Sequence, residues 1–111
     1  MKNKIRQVLE DMGLPMNNKG FKYIRDAIVV INEDESYIYN TCKLYDKVAA
    51  EDDSTATRVE RNIRSAFDSI MTKGNLDIVN KYFPVGIKQT NGNLLATLYC
   101  KLKGEQKWKS N

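Results

Sequence analysis

The sequence predicts an all-α domain of six helices, and three observations lead to this fold class. Apolar residues recur at spacings of three and four in successive segments, which is the rhythm of amphipathic helices. Residues that cap helices precede several of these segments, and glycine or proline follows them. A β-branched cluster at residues 28–31 would suit a strand, but the flanking helical spacing and the lack of a partner strand favour a helix.

The chain is expected to form one helical domain over residues 1–104, followed by a polar, basic tail at residues 105–111. Its length of 111 residues, with 41% hydrophobic and 29% charged residues, is typical of a single globular domain with a real core. The formal net charge of +4 permits a polyanionic partner such as nucleic acid but does not require one.

The first two predicted helices are separated by Gly13 and Pro15. Gly13 provides a permissive C-terminal cap, and Pro15 cannot continue a helix. Asn17 or Asn18 caps the second helix, which fades in the polar run 32–36. The two apolar stripes consist of Ile5, Val8, Leu9 and Met12, and of Phe21, Ile24, Ala27, Ile28 and Ile31.

The third and fourth predicted helices have the pattern of a helix-turn-helix unit. The third covers residues 37–51, and the acidic pair at residues 52–53 breaks it. The fourth, Thr55–Lys73, begins among hydroxyl residues that can cap a helix and ends at Gly74, which adopts the left-handed cap conformation at low cost. Its apolar stripe consists of Val59, Ile63, Ala66, Phe67 and Ile70.

The fifth and sixth predicted helices complete the domain. Asn75 caps a short fifth helix, and Pro84 stops it. A loop at residues 86–93 leads to the sixth helix, which ends at Gly104. The inward residues are Leu76, Val79 and Phe83 in the fifth helix and Leu94, Leu95, Leu98 and Leu102 in the sixth.

The residue inventory argues against an enzyme. The chain has no histidine, which removes the commonest general base and metal ligand, and it has no cysteine pair with zinc spacing. We therefore expect neither a metal nor another cofactor. Cys42 and Cys100 are interpreted as buried thiols in a reducing cytoplasm. No apolar run approaches the roughly 20 residues that span a bilayer, so we expect a cytoplasmic protein with no membrane partner.

The outer face of the fourth predicted helix carries the candidate binding residues. Arg61 lies opposite the apolar stripe and is flanked by Arg58, Arg64 and Ser65. A helix with one apolar side and a dense arginine side can be a recognition helix that enters a DNA groove. A core helix with a solvated charged face has the same pattern, and the helix by itself leaves both interpretations open.

Three segments of the sequence resemble one bacterial family. The run TATRVERNIR at residues 55–64 is similar to the TASRVERAIR signature of that family. Residues 14–28 are similar to its VP…KGYxYLREAI segment, and KGNLD at residues 73–77 is similar to its RGNID segment. The family is the C-terminal effector domain of the master sporulation response regulator of endospore-forming bacteria, stage-zero sporulation protein A. The resemblance covers roughly residues 9–102.

The resemblance implies a DNA-binding transcription regulator whose fourth helix enters the major groove of a box similar to TGTCGAA. It assigns base contacts to Arg61 and Glu60, and backbone or supporting contacts to Arg58 and Arg64. Arginine presents a planar fork that matches guanine O6 and N7, and glutamate can accept a hydrogen bond from cytosine N4. Ser65 stands where the family motif usually has histidine, so a phosphate contact there is shorter-reaching or lost.

Two of these residues have alternative roles. Glu60 can close a capping box with Thr57. Arg64 can pair with Glu60 or with Asp68 across one helical turn. For the whole chain, the alternative function is a protein-interaction module of the same fold, which pairs with a full-length homologue or RNA polymerase without binding DNA.

In the family that this sequence resembles, a phosphoacceptor receiver domain normally precedes the effector domain, whereas here the first apolar stripe starts at Ile5. We therefore expect a separately expressed domain or a standalone gene product that binds its box without a phosphoryl donor. It is expected to be mostly monomeric in solution and to pair on DNA that carries two boxes. Residues 94–102 and the tail around Trp108 are the expected contact surfaces, and RNA polymerase is a further candidate partner.

Overall fold

The computed structural model describes the backbone of residues 1–110 and the side chains of residues 1–105. Over the described residues it contains six α-helices, one short 3-10 helix and no strand, which confirms the predicted all-α fold class. The helices are α1 (Lys2–Asp11), α2 (Lys19–Glu33), the 3-10 helix (Glu35–Tyr39), α3 (Thr41–Glu51), α4 (Ala56–Lys73), α5 (Leu76–Tyr82) and α6 (Asn91–Ser110).

The second helix, α2, is the one around which the others are arranged. It contacts α1, α3, α4, α6 and the 3-10 helix. Asn18 caps it as predicted, because its side-chain oxygen accepts a hydrogen bond from the N–H of Gly20 at 2.8 Å. The predicted apolar stripe is buried, with an exposure of at most 2% at Phe21, Ile24, Ala27, Ile28 and Ile31.

The helices α2 and α4 approach each other very closely at Gly20. A Cβ atom at this position would lie 2.3 Å from the carbonyl oxygen of Asn62 and 2.5 Å from the Cβ of Ala66. Both distances are far below a van der Waals contact, so only glycine allows α2 to lie against the backbone of α4 here. The position of α4 therefore depends on a residue without a side chain in α2.

Backbone groups join the end of α1 to the junction between α4 and α5. The carbonyl of Met12 accepts a hydrogen bond from the N–H of Asn75 at 2.9 Å. Gly13 has a φ of 93°, which confirms the predicted left-handed glycine after α1. The same prediction for Gly74 is wrong, because its backbone is extended with φ −74° and ψ 177°. Glycine is required there for space, since a Cβ would lie 2.4 Å from the carbonyl oxygen of Ile70.

The predicted third helix is two separate elements in the structure. Residues 35–39 form the 3-10 helix, and Asn40 then caps α3 by accepting a hydrogen bond from the N–H of Lys43 at 3.1 Å. The prediction of one helix over residues 37–51 is therefore wrong at its start. Residues 37 and 38 still contact the core, which explains why their spacing resembled that of the helix that follows.

The last helix, α6, is longer than predicted at both ends. It begins at Asn91, inside the predicted loop, because Thr90 acts as its cap: the Thr90 hydroxyl accepts a hydrogen bond from the N–H of Asn93 at 3.3 Å. It also continues past Gly104 to Ser110, because an isolated glycine costs a helix only about 1 kcal/mol. The side chain of Trp108 lies outside the described residues.

Three side chains that were predicted to face inward are exposed. Leu76 is 56% exposed, because it is the first residue of α5 and its side chain projects beyond the helix end. Cys42 and Cys100 are exposed free thiols, so the prediction of two buried thiols is wrong. Cys42 is near the start of α3, and Cys100 lies on the outer side of α6, where neighbouring leucines and Tyr99 fill the inner side.

We expect Gly20→Ala to destabilise the domain by about 1–3 kcal/mol, because the added methyl group meets the backbone of α4. This loss outweighs the gain of roughly 1 kcal/mol that alanine normally brings to a helix interior. Gly104→Ala is the matched control, since position 104 is also helical and nothing lies within 4 Å of its Cβ. Urea unfolding measures both variants. Equal stabilisation by the two substitutions would contradict the close approach of α2 and α4.

Candidate nucleic-acid interface

The helix α4 is amphipathic in the way that the sequence predicts. Its inner stripe is at most 2% exposed at Val59, Ile63, Ala66, Phe67 and Ile70. The opposite side carries Arg58, Arg61, Arg64 and Ser65, all of which are exposed. Four of the five predicted site residues therefore lie on one solvent-facing side of a helix whose other side is fixed in the core. The fifth, Glu60, lies partly buried at the edge of this side.

A short, well-defined turn joins α3 to α4. Asp53 adopts a left-handed backbone with φ 49°, a conformation that aspartate tolerates better than most residues, and the N–H of Ser54 donates to the carbonyl of Ala49 at 2.9 Å. Thr55 then caps α4, since its hydroxyl accepts a hydrogen bond from the N–H of Arg58 at 3.2 Å. The turn thus ends α3 and starts α4 within the four residues 52–55.

Side chains of α2 form polar contacts with this turn. The Tyr23 hydroxyl donates to the Ser54 hydroxyl at 3.1 Å, and Lys22 forms an ion pair with Asp52. The hydrogen bond from Lys22 lowers the pKa of the Asp52 carboxyl and the same contact raises the pKa of Lys22. Both charges remain in contact with solvent, so the ion pair orients the turn without contributing much stability.

The carboxylate of Glu60 pairs with the guanidinium of Arg64 one helical turn away. This confirms one of the two alternative pairings for Arg64. The alternative of a capping box between Thr57 and Glu60 is wrong, because the cap of α4 is Thr55 and Thr57 lies within the helix. The Arg64 side chain is 63% exposed and that of Glu60 is 26% exposed, so both can exchange this pair for contacts with a partner.

Arg58 and Arg61 present their full charge to solvent. Among residues 1–105, whose side chains the structure describes, no carboxylate forms an ion pair with either of them. The neighbouring Asn62 turns towards the helix, and its amide donates to the carbonyl of Arg58 at 2.8 Å. The solvent-facing side of α4 therefore carries two unpaired guanidinium groups and one that is paired with Glu60.

The start of α6 lies beside the same face, which the sequence interpretation did not include. A polar cleft there is lined by side chains of three helices, among them Tyr45, Glu60, Arg64 and Asn91. Burial raises the pKa of the Tyr45 hydroxyl, and a hydrogen bond from Asn91 acts in the opposite direction. The sequence did carry a signal for this earlier start of α6, since Thr90 is a good capping residue four positions before the apolar stripe that begins at Leu94.

The described residues show neither a metal-binding cluster nor a membrane-spanning helix. Over the described part of the chain, no group of three His, Cys, Asp or Glu side chains is placed to hold a metal ion. Within the same residues, no helix is both long enough and apolar enough to cross a lipid bilayer.

Two helices joined by a short turn, with arginines along the solvent side of the second, define a protein of the helix-turn-helix class. The protein-family model described as "Sporulation initiation factor Spo0A C terminal" matches residues 5–102, and the chain belongs to this family. The family is a DNA-binding effector domain, so at the level of the family this chain is a DNA-binding regulator.

We expect Glu60→Gln to change the free energy of unfolding by at most about 0.5 kcal/mol, because an exposed ion pair four residues apart contributes no more than this. Glu51→Gln is the matched control, since Lys47 and Glu51 form the same kind of pair on α3. Thermal or urea unfolding checks both variants. A loss well above 1 kcal/mol for Glu60→Gln alone would assign Glu60 to the stability of α4 rather than to partner binding.

Proposed function

We propose that this chain is a sequence-specific DNA-binding transcription regulator that inserts α4 into the major groove of a TGTCGAA-like box. The observation that carries the proposal is the solvent-facing side of α4, where Arg58, Arg61 and Arg64 lie exposed on a helix anchored by its buried stripe. A rigid helix with a basic outer side meets the two needs of groove binding, which are fixed geometry and attraction to phosphate.

The position of these residues along α4 also favours this docking. In helix-turn-helix proteins the N-terminal part of the recognition helix contacts base edges. The candidate residues lie between Arg58 and Ser65, in the first ten residues of a helix that begins at Ala56. The major groove is about 12 Å wide and admits one α-helix, whose diameter with side chains is about 10–12 Å.

Each side chain receives a role that follows from its chemistry. Arg61, unpaired and opposite the buried stripe, makes the bidentate contact with a guanine. Glu60 accepts a hydrogen bond from a cytosine amino group, and Arg64 then transfers from Glu60 to phosphate. Arg58, at the first turn of α4, contacts the backbone beside the groove, and the short Ser65 hydroxyl makes at most one phosphate contact.

The exchange at Glu60 is energetically accessible. An exposed ion pair four residues apart contributes about 0.3–0.5 kcal/mol, whereas a good contact with a base contributes about 1–3 kcal/mol of discrimination. Breaking the ion pair between Glu60 and Arg64 therefore costs less free energy than the new contacts with DNA would provide. The pair also keeps two side chains ordered in the free protein, which reduces the ordering needed when DNA binds.

We expect Arg61→Ala to weaken binding to the selected box by about 1–3 kcal/mol and to relax the preference at one guanine. The box is first defined by selection from random duplexes, and gel shifts then compare the variants. Arg6→Ala is the charge-matched control, because Arg6 is an exposed arginine on α1. Unchanged binding by Arg61→Ala would refute the assignment of Arg61, and no binding by the parent chain would favour the protein-interaction module.

We expect Arg58→Gln to lower affinity for the box and for random DNA by the same factor, because a phosphate contact carries no sequence information. The slope of log affinity against log salt concentration should become smaller by about 0.9, the value for one lost phosphate contact. Arg6→Gln removes the same charge elsewhere and should leave the slope unchanged. A loss confined to the selected box would instead place Arg58 among the residues that contact bases.

A further inference from the structure

The first turn of α6 touches both helices of the helix-turn-helix unit. The amide Nδ2 of Asn91 donates a hydrogen bond to the backbone carbonyl of Glu60 in α4 at 3.1 Å. The next residue, Gly92, lies against α3, where an added Cβ would be only 3.2 Å from the Cγ2 of Thr41. The first turn of α6 therefore contacts both α3 and α4.

This turn of α6 is itself anchored to the domain. Thr90 caps the helix through the N–H of Asn93, and the following Leu94 and Leu95 are at most 2% exposed. Asn91 and the partly buried Tyr45 of α3 also line the same cleft. A side chain on such a framework has a defined position, so its hydrogen bond to α4 is a directional constraint rather than an accidental surface contact.

The hydrogen bond reaches α4 at the turn that carries the candidate binding residues. The carbonyl of Glu60 also accepts the helical N–H of Arg64, so the Asn91 amide is a second donor to the same oxygen. Glu60, Arg61 and Arg64 all lie within one turn of this atom. The contact is with the backbone, so it constrains the helix without using the side chain of Glu60, Arg61 or Arg64.

Hydrophobic contacts are non-directional, so a hydrogen bond to the backbone adds a directional constraint to the packing of the buried stripe. A side-chain tip lies about 6 Å from the helix axis, so a rotation of about 10° moves it by about 1 Å. Binding constellations tolerate errors of only about 0.5 Å. A small rotation of α4 would therefore degrade base contacts more than phosphate contacts, which carry no sequence information.

We propose that Asn91 is a positioning residue for DNA recognition, which fixes the rotation of α4 through the backbone carbonyl of Glu60. This inference rests on the proposed function, since it concerns how the same face meets DNA. It assigns to the start of α6 a role in sequence discrimination without any contact between Asn91 and a base. Its specific consequence is that loss of the amide lowers discrimination more than it lowers affinity for DNA in general.

The test compares Asn91→Ala with Asn93→Ala, a matched change two residues further along α6 at an exposed side chain. Affinities for the selected box and for a random duplex are measured below the melting temperature of every variant. Asn91→Ala should lower the ratio of specific to non-specific affinity roughly three- to tenfold, the factor that one net hydrogen bond supports. Asn93→Ala should leave the ratio unchanged. An equal loss on both duplexes would overturn the proposal, because general destabilisation acts on both.

Amide hydrogen exchange of the free protein supplies a readout that does not involve DNA. Asn91→Ala should accelerate exchange roughly three- to tenfold at the amides of residues 61–65, and Asn93→Ala should not. A lost affinity ratio with unchanged exchange would overturn the positioning role and make Asn91 a direct DNA contact. If the parent chain does not discriminate its box, the proposed function fails, whereas a discriminating parent with an unaffected Asn91→Ala refutes only this inference.

Discussion

The close contact between α2 and α4 at Gly20 is the constraint on which the rest of the domain depends. The helix α2 touches four other α-helices and the 3-10 helix, and α4 carries the candidate DNA-binding face. Because position 20 has no side chain, the backbone at Asn62 and the methyl group of Ala66 lie directly against α2. The buried stripe of α4 can then reach the core along its whole length, and the opposite side is held towards solvent.

Polar contacts help to orient α4 and the turn that precedes it. The turn between α3 and α4 is held by the hydroxyl of Tyr23 on Ser54 and by the ion pair of Lys22 with Asp52, while Asn91 holds α4 from the other side. None of these contacts contributes more than a small share of the stability. Their common effect is orientation, since each joins the turn or α4 to a helix that lies outside the helix-turn-helix unit.

The candidate DNA-binding face of α4 carries both unpaired arginines and one ion pair. Arg58 and Arg61 have no ion-pair partner among the described side chains, and Arg64 is held by Glu60 on the same helix. An exposed pair of this kind is weak enough to be exchanged for contacts with a partner, yet it limits the freedom of both side chains beforehand. This balance suits a surface that must remain soluble when free and become ordered when bound.

The sequence by itself determined the all-α class, the buried stripe and outer arginines of α4, and the caps at Asn18 and Asn75, because helical periodicity and capping are local properties. It did not determine the exposure of Leu76 and the two cysteines, the 3-10 helix, or the extended backbone at Gly74. These depend on which elements meet and on how deeply each is buried. The hydrogen bond from Asn91 to α4 joins residues 31 positions apart, and only the tertiary structure could decide it.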